Sequence, residues 1–202
     1  MIELDKANFW AINWLDEFMV GHKGFICGGC FKNIFNNEKV KDLDIFFNSK
    51  EDWENAVEYF DLADEFLFYY ENKNVRAYKH ISKDIVIELC NKIYGTAKDV
   101  IEQFDFTIVK FAYYKEEVED EEGKRIEYKI VCDDKFFEHL HMKRLVIDKD
   151  IPFPMSTFER MIRYAKYGYY PCKETKAKLI EAIRDLSDSE VEVSESLYDG
   201  MD

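Results

Sequence analysis

Two aspartates one residue apart, Asp42 and Asp44, are the residues of this chain whose types and spacing most directly predict chemistry. Side chains at positions i and i+2 of a β-strand lie on the same face. Leu43, Ile45 and Phe47 favour a strand here, so we expect the two carboxylates to point the same way. A hard cation such as Mg²⁺ or Mn²⁺ relieves their repulsion and keeps positions open for substrate phosphates. The pair therefore predicts phosphoryl or nucleotidyl transfer.

A glycine turn precedes the aspartates and changes how they are interpreted. A bare Asp-x-Asp is more often a pair of surface acids at a strand edge. Gly28 and Gly29 follow a short apolar run, and a turn of this kind brings backbone N–H groups close to a phosphate. Lys32 adds a positive charge beside the turn. Together these residues predict a phosphate-binding turn next to a metal-binding strand.

The same turn is framed by Cys27 and Cys30, a spacing that also occurs in zinc and redox sites. A zinc site needs two more ligands, and His22 is the nearby candidate. The chain has five cysteines, an odd number, which favours reduced thiols over a disulfide framework. We therefore interpret the cysteine pair as incidental to the turn.

Two-metal chemistry requires a third acidic group, and the sequence offers two candidates. Glu88 is a lone acid within the apolar run 85–89, and Asp105 lies between two phenylalanines. A buried, unpaired carboxylate is costly, so each residue needs a partner. Glu88 is the preferred third carboxylate and Asp105 the alternative. The other one of the two is expected to pair with a basic residue or to cap an element.

The hydrophobic pattern predicts a mixture of helices and strands around these residues. Helices are expected at 4–20, 30–35, from 50 behind the cap Ser49, at 96–103 and in several segments after 134. Strands are expected at 25–27, 43–47, 75–80, 85–89, and in a hairpin of 106–114 and 126–131 that continues a run starting at Phe104. The fold class predicted is α+β, with a mixed sheet flanked by helices and a small helical region at the C-terminus.

Composition limits the domain organisation and the partners. At 202 residues, we expect one catalytic domain over 1–132, a helical region over 133–186 that packs on it, and an acidic, disordered tail over 187–202. The net charge of −14 argues against a wholly basic nucleic-acid-binding surface. No apolar run approaches the ~20 residues of a membrane span, and the first residues lack the layout of a signal peptide. We therefore expect a cytoplasmic protein without a membrane partner.

A cluster of basic and aromatic residues near the C-terminus is the candidate nucleotide-binding surface. Arg160, Arg163 and Tyr167 are spaced to share one face of a helix that Gly168 ends. Guanidinium groups hold phosphates bidentately, and a tyrosine ring stacks on a base. In the alternative interpretation, the arginines pair with the many acids and the tyrosines pack the helix onto the catalytic domain.

The order of these motifs resembles the nucleotidyltransferase superfamily, which includes DNA polymerase beta and the CCA-adding and poly(A) polymerases. The shared pattern is a Gly-Gly or Gly-Ser turn, an Asp-x-Asp on the next strand and a third carboxylate on a later strand. The resemblance covers roughly residues 22–132. CCA-adding enzymes commonly read Gly-Gly-x-x-Arg-Asp at the turn, whereas this chain has Lys32 and Asn33 at the last two positions. This departure leaves open which molecule would accept the nucleotide.

The resemblance implies a metal-dependent enzyme that moves a nucleoside monophosphate from a nucleoside triphosphate, such as ATP, to a hydroxyl. Asp42, Asp44 and the third carboxylate would bind the metal, and Gly28, Gly29 and Lys32 would position the leaving phosphates. The acceptor would be an RNA or tRNA end, a protein or a small molecule. A third possibility is a protein that keeps this fold, lacks catalysis and binds a partner.

Overall fold

The computed structural model describes residues 1–120 and 123–186, so the predicted acidic tail at 187–202 lies outside the described residues. The chain divides into two compact units. In the described residues, unit 1 comprises Met1–Gln103 and Val109–Asp134, and unit 2 comprises Phe104–Ile108 and the segment that begins at Lys135. The candidate carboxylates Asp42, Asp44 and Glu88 lie in unit 1, whereas Asp105 lies in unit 2.

Unit 1 is built on a mixed sheet that has eight strands among the described residues. The strands are β1 Ile2–Asp5, β2 Phe25–Cys27, β3 Asp42–Phe47, β4 Phe66–Glu71, β5 Val75–His80, β6 Val86–Tyr94, β7 Phe111–Asp120 and β8 Gly123–Cys132. Their order is β1-β8-β7-β2-β3-β6-β5-β4. The β3–β6 pair is parallel, and the other neighbours are antiparallel. This architecture confirms the α+β class predicted from the sequence.

The helices of unit 1 begin where the sequence supplies caps. They are α1 Cys30–Phe35, α2 Lys50–Leu62 and α3 Ala97–Glu102. The Ser49 side chain accepts a hydrogen bond from the Asp52 amide at the start of α2, and Thr96 forms a capping box with Asp99 at the start of α3. Each cap satisfies an amide that would otherwise lack a partner.

One face of the sheet is covered by α2. The Trp53 indole N–H of α2 donates to the Leu89 carbonyl of β6 at 3.2 Å, and the Phe60 ring stacks on Tyr78 of β5 at 5.3 Å. Leu43 of β3 pairs with Ile87 of β6 on this side, and both are fully buried. Because side chains alternate along a strand, Asp42, Asp44 and Glu88 are directed to the opposite face.

Unit 2 is mainly helical in its described part. It contains α4 Phe136–His141, α5 Pro154–Lys166 and α6 Lys173–Arg184, with a short parallel pair, β9 Arg144–Leu145 and β10 Tyr170–Pro171. Gly168, at φ +82°, follows the C-terminal end of α5, and the next amide, that of Tyr169, bonds back to the Tyr164 carbonyl. The predicted role of Gly168 as the helix terminator is therefore confirmed.

The predicted helix at 4–20 is wrong. Residues Ile2–Asp5 form β1, which pairs with β8 and uses its backbone groups in the sheet. The chain then forms two 3₁₀ helices, Lys6–Asn8 and Trp10–Met19. In the second of these, Ile12, Leu15 and Phe18 are all buried. Their spacing of three matches the three residues per turn of a 3₁₀ helix, which places them on one side.

Two other expectations about strands need correction. The strand expected to start at Phe104 starts at Phe111, because the preceding residues join unit 2, where Phe106 bridges Ile147. Strand β4 was not expected from the sequence. It forms an edge of the sheet, and three of its side chains, Leu67, Phe68 and Tyr69, are more than half exposed. Such a strand lacks the apolar–polar alternation that marks a half-buried one.

Candidate active site

The candidate active site of unit 1 is a single row of residues that crosses neighbouring strands. Asp44 of β3 pairs with Cys27 of β2 on one side and with Glu88 of β6 on the other. Glu88 in turn pairs with Ala77 of β5, and Ala77 pairs with Tyr70 of β4. Directly paired residues project from the same face of a sheet. The register thus brings Asp44 and Glu88 together across adjacent parallel strands.

The carboxyl groups of Asp44 and Glu88 share a hydrogen bond. Burial, followed by the charges of Glu88 and Asp42, raises the pKa of Asp44 well above its usual range. Burial also raises the pKa of Glu88; the hydrogen bonds from Tyr70 and Asp44 act in the opposite direction, and the charge of Asp42 adds to the rise. The acids around Asp44 thus disfavour its ionisation at a cost in folding free energy, and groups with a raised pKa of this kind concentrate at functional sites.

Asp42 lies two residues before Asp44 on the same face, and it is exposed where β3 begins. Its Cα pairs with that of Val86 at the start of β6. Its charge acts on both other acids, so the three carboxylates form one electrostatic group. Within residues 1–120 and 123–186, however, no three His, Cys, Asp or Glu side chains are arranged as a metal-binding group.

The donor chemistry of the three acids fits a hard divalent cation. Carboxylate oxygens are the ligands that Mg²⁺ prefers, and a cation would offset the mutual repulsion that raises the pKa of Asp44. The thiols next to them do not offer competing soft ligands. Burial, followed by the charge of Asp44, raises the pKa of Cys27, Cys30 and Cys90 well above the usual range. These thiols therefore stay protonated, and a protonated thiol is a poor ligand and a poor nucleophile.

Both ring nitrogens of His22, the other candidate zinc ligand, make hydrogen bonds to the backbone. Its Nε2 lies 2.9 Å from the Phe18 carbonyl, and its Nδ1 accepts a hydrogen bond from the Gly24 amide at 3.0 Å. Burial lowers the pKa of His22 to about 4, so the ring is neutral and Nε2 carries the proton that it donates. This histidine supports the chain between Phe18 and the start of β2.

The glycine turn that was predicted to bind phosphate has the expected backbone conformation, but some of its polar groups make hydrogen bonds within the protein. Gly28 has φ +97°, a conformation that favours glycine, and its amide donates to the Phe111 carbonyl at 3.1 Å. Gly29 is the residue before α1 and adopts a helical conformation. The Lys32 ammonium donates to the Asn33 side-chain oxygen and lies 3.1 Å from a Glu38 carboxylate oxygen. The phosphate-binding role of Gly28, Gly29 and Lys32 stays a prediction.

In unit 2, Asp105 is paired with a base. Its Oδ2 accepts hydrogen bonds from Arg160 of α5 at 2.7 and 2.8 Å, and its Oδ1 accepts one from the Phe106 amide at 2.8 Å. Asp105 is 8% exposed, so this pair is largely desolvated. Arg163 lies on the same helix and is half-buried, and Tyr167 at the end of α5 is 57% exposed. The nucleotide-binding role of these α5 residues also stays a prediction.

Tyr70 was missed in the sequence and belongs to the row described above. Its hydroxyl donates to Oε1 of Glu88 at 2.6 Å. Burial and then the hydrogen bond to Glu88 raise the pKa of Tyr70, so the hydroxyl stays protonated and remains the donor. The run Phe66-Leu67-Phe68-Tyr69-Tyr70 is rich in strand-forming residues and was the available signal.

Comparison with known proteins identifies the family. The model of the family described as "Gad2: Gabija anti-defense 2 family protein" matches residues 5–143, well over half of the chain. The chain belongs to the Gabija anti-defense 2 family. A curated relative, "Gabija anti-defense 2" from Bacillus phage SPbetaL7, is 22% identical over 201 residues, which are 98% of this chain and 46% of the relative. The chain thus spans about half the length of the curated relative that it matches.

Solved structures with a similar fold are tRNA-processing enzymes. The Thermotoga maritima CCA-adding enzyme complexed with tRNA has a TM-score of 0.59 at 14% identity, over 92% of this chain and 46% of that one. A CCA-adding enzyme in complex with CTP has a TM-score of 0.61 at 14% identity, over 96% of this chain and 49% of that one. At this identity the similarity shows the fold, and it confirms the nucleotidyltransferase-type fold predicted for this member of the Gabija anti-defense 2 family. Among the described residues, no helix is both long and apolar enough to span a membrane.

Proposed function

We propose that this chain is a nucleotidyltransferase that transfers a nucleoside monophosphate from a nucleoside triphosphate to a hydroxyl acceptor, and that this transfer counteracts a Gabija defence. The family name supplies the biological setting, and the fold supplies the class of chemistry. We place the activity in the cytoplasm, where nucleoside triphosphates and Mg²⁺ are abundant. Odd-numbered, unbridged cysteines fit that compartment.

The observation that carries the proposal is the pairing of Asp44 with Glu88 across two parallel strands, with Asp42 two residues away. The sheet gathers three acids on one face, and the interactions that set the pKa of Asp44 are burial and two other acids. A fold retains such a destabilising arrangement where function requires it. Asp42, Asp44 and Glu88 would hold Mg²⁺ or Mn²⁺, which when bound neutralises charge on the triphosphate and on the attacking oxygen.

The residues of the chain then have separate roles. Glu88, as the third carboxylate, accepts the proton of the attacking hydroxyl and holds that oxygen in line with the α-phosphate. Gly29 and Lys32 position the β- and γ-phosphates of the leaving pyrophosphate. Lys32 has to exchange its contacts with Asn33 and Glu38 for the phosphates in order to do so. Most of the acceleration comes from positioning and charge neutralisation.

In unit 2 we assign nucleotide binding to Arg160, Arg163 and Tyr167 on α5. Asp105 is then not a metal ligand but the residue that orients the Arg160 guanidinium through two hydrogen bonds. A guanidinium held by a carboxylate on one edge still presents N–H groups on the other edge. This division assigns the metal to Glu88 and the orientation of Arg160 to Asp105.

The acceptor is an RNA or tRNA end, a protein of the defence system or a small molecule. A second candidate function is non-catalytic binding of a defence component. The internal contacts of Lys32 and of the Gly28 amide favour this second candidate, because both groups are engaged within the protein.

Labelled nucleoside triphosphates distinguish these functions. The protein is incubated with each α-³²P-labelled triphosphate and Mg²⁺, together with total RNA or cell protein, and the label is followed into RNA, protein or small molecules. We expect labelled product and pyrophosphate from the wild-type protein, and a loss of at least about 100-fold in Asp42→Asn with Asp44→Asn. Asp84→Asn, an exposed acid that pairs with Lys39, is the matched control and keeps wild-type activity.

The anti-defence activity of the same variants is measured in cells that carry a Gabija system. If the double variant keeps that activity while folded, binding and not transfer counteracts the defence. If the wild-type protein releases no pyrophosphate with any triphosphate or acceptor, the catalytic proposal is wrong.

A further inference from the structure

A β-bulge in the edge strand β4 places Tyr70 in the row of the carboxylates. Going along β4, Leu67 pairs with Lys79 and Phe68 with Tyr78 of β5, so regular pairing would set Tyr69 opposite Ala77. The register instead shifts between Phe68 and Tyr70, and Tyr70 pairs with Ala77. A bulge of this kind redirects side chains, and bulges are over-represented next to active sites. The shift moves Tyr69 out of the row and brings Tyr70 into it.

The residue between Tyr70 and Glu88 is small. Ala77 of β5 pairs with Tyr70 on one side and with Glu88 on the other. The methyl group of Ala77 leaves space above β5, the strand between Tyr70 and Glu88. The Tyr70 ring therefore crosses β5, and the tyrosine hydroxyl reaches Oε1 of Glu88 at 2.6 Å. Neighbouring strands are about 4.8 Å apart, so the two backbones are separated by two strand spacings, about 10 Å, which the tyrosine and glutamate side chains cover together.

We propose that Tyr70 is a positioning residue for the third carboxylate: its hydroxyl holds Oε1 of Glu88, so that this carboxylate keeps one orientation beside Asp44 and toward the metal that these acids would bind. This inference rests on the proposed function for its catalytic consequence. Partners that orient a metal-binding carboxylate are often as important as the ligand itself, and their removal typically costs 10–100-fold in metal affinity or activity.

The contacts of Glu88 explain why such a residue is needed. A glutamate has three rotatable side-chain bonds, and the groups that hydrogen-bond its carboxylate are Tyr70 and Asp44. Metal binding at Asp44 would replace the hydrogen bond between the two acids. Tyr70 would then hold Glu88 in place through Oε1 during catalysis, because its hydrogen bond does not depend on the contact between the two acids.

The test compares two tyrosine-to-phenylalanine variants that differ in where the hydroxyl lies. Tyr70→Phe removes the donor to Glu88 and keeps the ring, whereas Tyr69→Phe removes the hydroxyl of the neighbouring residue, which is 57% exposed. Mn²⁺ affinity is measured on the protein without nucleotide by electron paramagnetic resonance, and kcat and KM for the triphosphate are measured with saturating Mg²⁺. Thermal unfolding confirms that both variants are folded.

We expect Tyr70→Phe to bind Mn²⁺ about tenfold more weakly and to lose about tenfold in kcat with little change in KM, while Tyr69→Phe matches the wild type. A merely structural tyrosine would lower the melting temperature without moving either Mn²⁺ affinity or kcat. Equal Mn²⁺ affinities for Tyr70→Phe and Tyr69→Phe overturn the inference.

The Mn²⁺ measurement separates this inference from the proposed function. If the wild-type protein binds Mn²⁺ but transfers no nucleotide, the proposed function fails and the role of Tyr70 is still decided by the two affinities. If the wild-type protein does not bind Mn²⁺, the role of Tyr70 is refuted as well.

Discussion

Asp44 in unit 1 and Asp105 in unit 2 are acids in similar sequence surroundings with opposite environments. Both are flanked by apolar residues; Asp105 is buried and Asp44 is half-buried. Asp105 is held by the Arg160 guanidinium and by the Phe106 amide, so its charge is compensated within the protein. Asp44 lies beside Glu88 and near Asp42, and burial, followed by the charges of these neighbours, raises its pKa. One carboxylate is stabilised by its surroundings, and the other is destabilised by them.

From this difference we infer that Asp44, and not Asp105, belongs to the proposed metal site. A carboxylate paired with arginine is typical of a structural contact or of a residue that orients a base. A carboxyl whose ionisation is disfavoured by neighbouring acids gains stability when a cation binds to the group. Substitutions that alter one of these two environments at a time test this inference.

The largest effect is expected for Asp44→Asn. Transfer activity should fall by at least about 100-fold, because a metal-binding carboxylate is lost, whereas the melting temperature should stay equal or rise, because a repelling acid is removed. Pyrophosphate release and thermal unfolding measure the two effects. A variant that unfolds at a much lower temperature than the wild type contradicts the functional interpretation of Asp44.

Asp105→Asn, unlike Asp44→Asn, should lower the stability of the protein. Loss of the carboxylate charge removes the ion pair with Arg160, whose side chain is 26% exposed, and we expect a loss of about 2 kcal/mol in the free energy of unfolding, measured by urea denaturation. The double variant Asp105→Leu with Arg160→Met should recover much of that loss, because it removes both charges. An Asp105→Asn variant as stable as the wild type contradicts the assignment of the pair as stabilising.

His22 extends the comparison to a buried base. Its pKa in the folded protein is about 4, lower than the ordinary value of 6.5, so the unfolded chain binds the proton more tightly. Its contribution to stability is therefore complete above pH 6.5 and is lost as the pH falls toward 4. We expect a loss of about 2 kcal/mol from pH 7 to pH 5.

Urea denaturation at both pH values tests this. The raised pKa of Asp44 acts in the opposite direction, because a group that binds protons more tightly in the folded state adds stability as the pH falls. The His22 contribution is therefore taken as the difference between wild type and His22→Asn. His141→Asn, at an exposed position, is the control and keeps the wild-type slope. Equal slopes for wild type and His22→Asn contradict the prediction.

The smallest effect is expected for Ser49→Ala. The substitution removes the cap of α2 and should cost about 1 kcal/mol of stability without changing the transfer rate at a temperature where the protein is folded. Ser82→Ala, outside the regular elements, is the matched control and should change stability by only a few tenths of a kcal/mol. A fall in the transfer rate of folded Ser49→Ala would show that α2 does more than cover the sheet.

Local signals in the sequence predicted much of the fold. The cap Ser49 was predicted at the start of α2, a helix was predicted at 96–103 where α3 lies, and β5 was predicted with its observed bounds, Val75–His80. The 3₁₀ helix Trp10–Met19 was predicted as α-helical, because apolar residues spaced by three and four fit both geometries.

The candidate site was predictable as far as its acids are concerned. The sequence pointed to Asp42, Asp44, Glu88 and Asp105 as candidates, but the partners of these acids depend on pairings between distant parts of the chain. Arg160 lies 55 residues from Asp105, and Tyr70 enters the row of the carboxylates through a bulge. Neither contact leaves a periodic signal in the sequence.

The most direct test of the central claim compares kcat and KM of Asp44→Asn and Asp105→Asn, each at a temperature where thermal unfolding shows it to be folded. With saturating Mg²⁺ and labelled triphosphate, we expect kcat of Asp44→Asn to fall by at least about 100-fold. We expect Asp105→Asn to keep most of kcat and to raise KM, because it disturbs the orientation of Arg160. A folded Asp44→Asn with wild-type kcat, beside an Asp105→Asn that has lost it, would contradict the assignment of the acids on β3 and β6 as the active site.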